Sequence, residues 1–488
     1  MERGDSMAHT KVMAKVVTDN TGFQQELPVL LVATPNSIQV FEPLLDYLLK
    51  YSNVRSLTWM EKLCQIVGLL LDYMEVNKGL FDKPVHLFTE FTKRIHLGTI
   101  GTDGLDPSGL YWLPKTAKNA NQLLSMLSGF SDDLVVSNRG VPLNPWVEAT
   151  AFEQMVKWAA WTNKSERSFL GHLDKYSKAT DVVNLARQMK LPTTPKGDTA
   201  EKKAFPDKRL EDLLFNGFVN PGQEESKNEL SKYDWRGICI ALLMNGGGLR
   251  VCECFHIWIH DIQPDPLNPD IAHVRVYHPA QGAAPKDFIL ASGKAPTNRA
   301  EYLAAKHPNY PPRHKASGSY HAGWKNPKLS NDNERYLHVH WFPSKLGKYF
   351  LIAWRMYLTQ RISYGITAAK HPFLFASHHG KHLGEPYTMS SFREALERAV
   401  ERIGMGYSKA EGTTEHGHRH AYGQRATRGE LGVSVIQAGM HHVSPESQEV
   451  YTTPSIAHVT KKMAQAQTTL EDPFNFELML AFNNKSGE

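Results

Sequence analysis

A few side chains in the C-terminal half of this 488-residue chain have types and spacings suited to phosphate chemistry. In EHGHRHAYGQ (Glu415 to Gln424), His416 and Arg419 stand three apart, so on a helix they share a face. An arginine can give a phosphate two parallel hydrogen bonds, and a histidine can give it one more. In NGGGLRVCE (Asn245 to Glu253), Arg250 follows three glycines and Glu253 lies three residues further on, placed to hold the guanidinium. The glycines let backbone or a phosphate approach closely. In AGMHHVSPESQEVYTT (Ala438 to Thr453), His442 precedes Tyr451 across a proline-containing turn. Tyrosine is a weak nucleophile at its free pKa of about 10. Cations around a phosphate favour phenolate attack and stabilise the oxygens as charge develops.

Each piece also has an ordinary reading. Arg250 and Glu253 could be a surface i,i+3 ion pair, and the histidines could cap carbonyls or pack in a core. The pattern CECFHIWIH raises a third possibility, since Cys252, Cys254, His256 and His260 are metal-ligand types. The stretch reads as a helix from Arg250 onward, however, and a helix turns the two cysteines about 200° apart. Convergence of all four on one metal is therefore disfavoured.

The elements that position these residues can be read from periodicity. Leu57 to Asn77 and Thr116 to Leu134 carry apolar residues at helical intervals, as do SKYDWRGICIALLMNGG and KLGKYFLIAWRMYLTQRIS. Ile271 to His278 and Arg335 to Phe342 alternate as strands. The expected organisation is a tail or short strand over 1–35, a helical domain over 36–185, and a linker over 186–204. A larger helical domain with a small sheet follows over 205–466, interrupted by an insertion at about 279–334 that is too long for a hairpin turn. Residues 467–488 form a tail.

Composition limits the class. Apolar residues are 41% and charged residues 22%, the balance of a globular protein, and no apolar run approaches the ~20 residues that span a bilayer. The N-terminus has no apolar signal core, and four cysteines make no disulfide framework, so a cytoplasmic location without membrane partners is expected. A net charge of +5 permits nucleic acid as a partner without demanding it.

Taken in order, the segments resemble the tyrosine recombinase (phage integrase) family. GGLRVCECFHIWIHDI is similar to that family's GLR-x-x-E-x-x-x-L-x-W-x-D-I segment, HGHRHAYGQ to H-x-L-R-H-T-F-A-T, and IQAGMHHVSPESQEVYT to I-Q-x-x-L-G-H-x-S-x-x-T-T-x-x-Y-T. A narrower likeness, through YHAGWKNP and HVHWFP, is to recombinases of the gamma-mobile-trio islands. Three positions depart from the pattern: His418 replaces a leucine, and Met440-His441 replaces leucine-glycine. The resemblance implies a mainly α fold with a small β-sheet, made of a helical core-binding domain plus the catalytic domain of DNA breaking-rejoining enzymes. It implies that Arg250 and Arg419 clamp a scissile phosphate, with Glu253 supporting them. His416 would assist as a hydrogen-bond donor or in proton transfer, and His442 would contact the phosphate from the other side. Tyr451 would form a 3′-phosphotyrosyl bond to double-stranded DNA. The family's lysine, a general acid for the leaving oxygen, falls in the insertion: Lys325 is the first choice and Lys286 the second. No metal, cofactor or small-molecule substrate is implied, and a tetramer on two DNA sites is the expected assembly. A DNA-binding protein with decayed catalysis and a type IB topoisomerase are the alternatives.

Overall fold

The computed structural model describes residues 9–21, 24–34, 37–167, 183–192, 203–366, 370–378 and 380–443. The chain divides into two compact units, Met1–Lys196 and Gly197–Glu488. Among the described residues no helix is long and apolar enough to cross a membrane.

In the first unit, β1 (His9–Val17), β2 (Gln24–Thr34) and β3 (Ser37–Val40) form an antiparallel sheet in that order, with Lys11 opposite Leu30 and Leu31 opposite Val40. The N-terminal stretch is thus a sheet and more than the tail or short strand expected. Helices α1 (Glu42–Tyr51), α2 (Leu57–Val76), α3 (Pro84–Leu97) and α4 (Ala117–Val136) follow. They share one core with Leu27 and Leu30 of β2. Ser56 caps α2 by accepting from the Trp59 N–H. Further on, β4 (Trp146–Glu148) and β5 (Leu185–Arg187) pair across α5 (Ala151–Arg167). β5 occupies the start of what reads in sequence as linker, because Arg187 lies over the Trp146 ring at 4.0 Å and ties the strand to this unit.

The second unit is built around α6 (Trp235–Asn245), every residue of which is buried. A helix apolar on all sides has to be surrounded, and α6 packs against two later helices, both beyond the insertion. After α6 come the single turn α7 (Val251–Cys254) and a three-stranded antiparallel sheet of β6 (Ile262–Pro264), β7 (Ala272–Tyr277) and β8 (Tyr336–His338). The two alternating stretches pair as strands, with Val276 opposite Leu337. The insertion between them is not a free loop: it holds α8 (Arg299–Lys306), capped by Asn298. Its Arg299 is buried against Asp261, and the Ala322 N–H bonds back to the Arg313 carbonyl. Helices α9 (Lys345–Ser363), α10 (Met389–Arg402), α11 (Glu415–Arg428) and α12 (Val433–Gly439) complete the unit. The partners of α6 are α9 and α11. The fold is mainly helical with small antiparallel sheets.

Candidate functional site

The site begins where α6 ends. A Cβ on Gly246 would lie 2.8 Å from Leu346, one on Gly247 2.6 Å from Val339, and one on Gly248 2.9 Å from the Tyr422 ring. Gly248 also has φ +67, a left-handed conformation that favours glycine. The glycines therefore answer to close approach by the protein's own α9, β8 extension and α11. This differs from the sequence reading, in which a phosphate was one candidate for the approaching group.

That tight turn delivers Arg250 to the start of α7. Its backbone N–H donates to Glu253 Oε2 at 2.7 Å and its Nη1 to Oε1 at 2.6 Å. Glu253 is fully buried, so the pair is not a surface ion pair. Arg419, on α11 and also buried, brings its Nη1 to 3.8 Å from Glu253 Oε2. Its guanidinium donates to the carbonyls of Gly248 and, at 2.5 Å, Met440. One carboxylate is thus shared by two arginines, and Arg419 fastens the glycine turn to the end of α12. Arg250 keeps about a fifth of its side chain exposed, and among the described residues Glu253 is its side-chain partner.

The histidines divide by surroundings. His442 is buried, and burial first, then the Arg419 and Arg250 charges, push its pKa down to about 3. Its N–H donates to the Gln437 carbonyl at 3.1 Å. His441 is buried as well, at φ +53, with its pKa far below normal through burial, Arg419 and His340. Spacing favours His442 as the inward member of the doublet, but both rings turn inward and both feel the arginines. His416 is solvent-exposed, yet its pKa is lowered, first by the protein crowding its ring and then by Lys325, with Arg419 adding and Glu415 opposing. His418, the departure from leucine, stacks on Phe205 with ring centroids 4.4 Å apart and sits in the core at a pKa of about 3. It fills an apolar layer as the leucine would.

Lys325 is exposed, and its charge reaches both His416 and Cys252. The insertion reaches the doublet too: the Lys328 N–H donates to the His441 carbonyl at 3.1 Å. Lys286 is exposed beside Asp287, which pairs with Lys306 at 3.2 Å. Tyr451 lies outside the described residues, as do the segments that follow it.

The helix expected to run on from Arg250 stops at Cys254, so His256 and His260 share no helical face. His256 Nε2 instead meets the Gly323 carbonyl at 3.3 Å. Burial pushes the Cys252 thiol up to about 11 and the Cys254 thiol well above its ordinary value, which keeps both protonated and poor as ligands. Among the described residues no three His, Cys, Asp or Glu side chains are grouped to hold a metal.

Counted as charge, the site holds Arg250, Arg419 and Lys325 against Glu253, with His441 and His442 neutral. A surplus of fixed cations with preorganised N–H donors is suited to an oxyanion. Sequence reasoning missed the carbonyl anchors of Arg419 and the backbone bond from Lys328, which no side-chain pattern announces. It also passed over His338 and His340, whose alternation in RYLHVHWF puts them on one strand face.

No protein-family model matches this chain, and no curated protein matches it. Among solved structures it is similar to XerA recombinase, at 12% identity and a TM-score of 0.32, over 87% of this chain and 97% of that one. It is similar to XerH site-specific recombinase bound to difH substrate in a pre-cleavage complex, at 11% identity and a TM-score of 0.44, over 88% and 85%. It is similar also to the Tn1549 transposon integrase in complex with circular intermediate DNA, at 13% identity and a TM-score of 0.42, over 87% and 98%.

Proposed function

We propose that this chain is a tyrosine recombinase that breaks and rejoins double-stranded DNA, integrating or recombining a mobile element. The observation that carries the reading is the single buried carboxylate, Glu253, shared between Arg250 and Arg419 beside a neutral His442. That arrangement leaves net positive charge fixed where a phosphodiester's non-bridging oxygens would sit, and rigid donors stabilise developing charge without reorganising.

The chemistry then runs as a balanced exchange. Tyr451 Oη attacks phosphorus as the bond to the 5′-oxygen breaks, leaving a 3′-phosphotyrosyl ester and a free 5′-hydroxyl. The phenol proton passes to His416, whose lowered pKa keeps it neutral and able to accept. The leaving 5′-oxygen takes its proton from Lys325, the lysine whose charge is felt at His416. His442, also neutral, donates one N–H to a non-bridging oxygen. Rejoining is the reverse with a different 5′-hydroxyl, so the phosphoester energy is conserved and no nucleotide is needed. Exchange between partners calls for a homotetramer on two DNA sites, acting in the cytoplasm.

The test is a search for covalent adducts. The protein is expressed with DNA from its own genomic neighbourhood, denatured in SDS, and any DNA-linked peptide is mapped beside the Tyr451→Phe variant. An adduct on Tyr451 that vanishes in the variant is expected. DNA binding by both proteins with an adduct from neither overturns the enzyme reading in favour of an architectural one.

A further inference from the structure

A row of imidazoles crosses the sheet toward the site. The ring of His273 on β7 lies 4.7 Å from that of His338 on β8, His338 lies 4.7 Å from His340, and His340 lies 6.3 Å from His441. These rings do not converge as metal ligands. The two ends of the row are occupied differently. His273 has a partner on each ring nitrogen: Nδ1 is 3.4 Å from Asp265 Oδ2, and Nε2 accepts from Arg275 Nε at 2.9 Å. At the other end, His441 is buried with its Nε2 unpartnered, beside Arg419 and Arg250.

Between them His338 is half-buried and His340 is exposed. Both are neutral in the free protein. His338 is held at about 4 by burial, His340, His273 and Arg275, against the pull of Asp265, and burial lowers His340. An uncharged but protonatable surface therefore borders a fixed cationic one. A DNA strand carries a phosphate every ~3.4 Å of axis, so a strand gripped at one phosphate presents others over such a surface.

We infer that His338 and His340 form a second backbone-phosphate contact on β8 and its extension, one that becomes charged only when DNA lies on it. This rests on the reading of the site as a DNA site. The incoming phosphate supplies the counter-charge that the row lacks, so each imidazole gains a proton on binding and donates to a phosphate oxygen. Binding then takes up protons and strengthens as pH falls from 8 toward 6, because the bound-state pKa lies above the free-state value.

The test is isothermal titration of a random-sequence duplex into the Tyr451→Phe protein at low salt, in two buffers of different ionisation enthalpy. His338→Gln/His340→Gln on the same background is the comparison, and His340→Gln alone serves if the double variant melts early. The unsubstituted row should show net proton uptake at pH 6.5 and bind roughly fivefold tighter at pH 6 than at pH 7.5, with both effects largely lost in the variants. Equal uptake in all proteins, or uptake in none, overturns the inference while leaving the DNA reading in place. No duplex binding by any of them overturns both.

Discussion

Among its described residues the second unit buries two carboxylates against arginines, and they are charged to different totals. Asp261 meets one partner: Arg299 donates to it through Nη1 at 3.0 Å and through Nη2. The guanidinium is sandwiched 4.1 Å from the Trp258 ring and 4.2 Å from the Tyr277 ring. Its Nε donates to the Ala283 carbonyl at 3.3 Å, and the Trp258 N–H donates to Asp261 at 2.7 Å. Every side of that pair is closed and its net charge is zero. Glu253 instead serves two arginines, one of them partly exposed. Both are buried Arg–carboxylate contacts, so burial does not separate structure from function here. The residual charge and the open N–H groups do. The first pair anchors an insertion, and the second keeps a net positive charge.

The largest effect that tests this contrast is the loss of an arginine from each pair. Arg250→Ala should lower single-turnover DNA cleavage by about a thousandfold, as removal of a charge-stabilising donor does elsewhere, with a smaller fall in melting temperature than Arg299→Ala, because Glu253 keeps Arg419 and the backbone N–H of residue 250. Arg299→Ala should do the reverse. It strands the Asp261 carboxylate in the core at a cost of about 3–5 kcal/mol, while cleavage per folded molecule persists. If Arg299→Ala abolishes cleavage at temperatures where the protein stays folded, the division between the two pairs fails.

Next comes Lys325→Ala, expected to slow cleavage by about a hundredfold, the range of a general acid. A substrate whose leaving 5′-oxygen is replaced by sulfur needs no protonation, because a thiolate leaves readily. It should restore the rate of Lys325→Ala and leave Arg250→Ala impaired. Lys286→Ala should match the parent on both substrates. Gly248→Ala should have a smaller effect, about 2 kcal/mol of stability, since it strains a left-handed residue and drives a Cβ into the Tyr422 ring. The Gly248 carbonyl also holds Arg419, so cleavage should fall with it.

What the sequence made legible follows the same line between local and distant. His416 and Arg419 are helical neighbours on α11, and Arg250 and Glu253 are the N-cap and third residue of α7, so short spacing alone brings each pair to one place. That Glu253 is wholly buried and shared with Arg419 is a contact across distant chain segments, and no local pattern encodes it. The long helices were readable because their apolar spacing runs over many residues. The helix expected from Arg250 onward is the single turn α7, after which Phe255 and Trp258 are buried, and no Gly or Pro marks that end in the sequence. The N-terminal sheet carries a local signal in its turn, where Asp19 accepts from the Thr21 N–H at 2.9 Å after a stretch rich in β-branched residues. The insertion's order comes from Arg299 and Asp261, whose pairing composition cannot announce.

The smallest effect concerns the groups that must stay neutral for the cations to stand alone. On α11, Arg419 and His418 are adjacent, yet one is a fixed charge and the other an imidazole held at about 3 by burial and then by Arg425. An unfolded histidine titrates near 6.5, so below that pH the unfolded chain takes up a proton that folded His418 refuses. Stability from this residue is therefore full above pH 6.5 and lost as pH falls toward 3. Between pH 6.5 and 5.5 the loss amounts to about 1 kcal/mol. His418→Leu should remove that slope, leaving a shallower acid limb in a plot of melting temperature against pH, because leucine packs on Phe205 and has nothing to protonate. Its price is the Asn245 Nδ2 contact, 3.3 Å from His418 Nδ1, which lowers stability uniformly and leaves the slope untouched. An acid limb equally steep in the variant would mean that the neutrality of α11's inner face is not what acid disturbs, and that other buried imidazoles, such as His442, are.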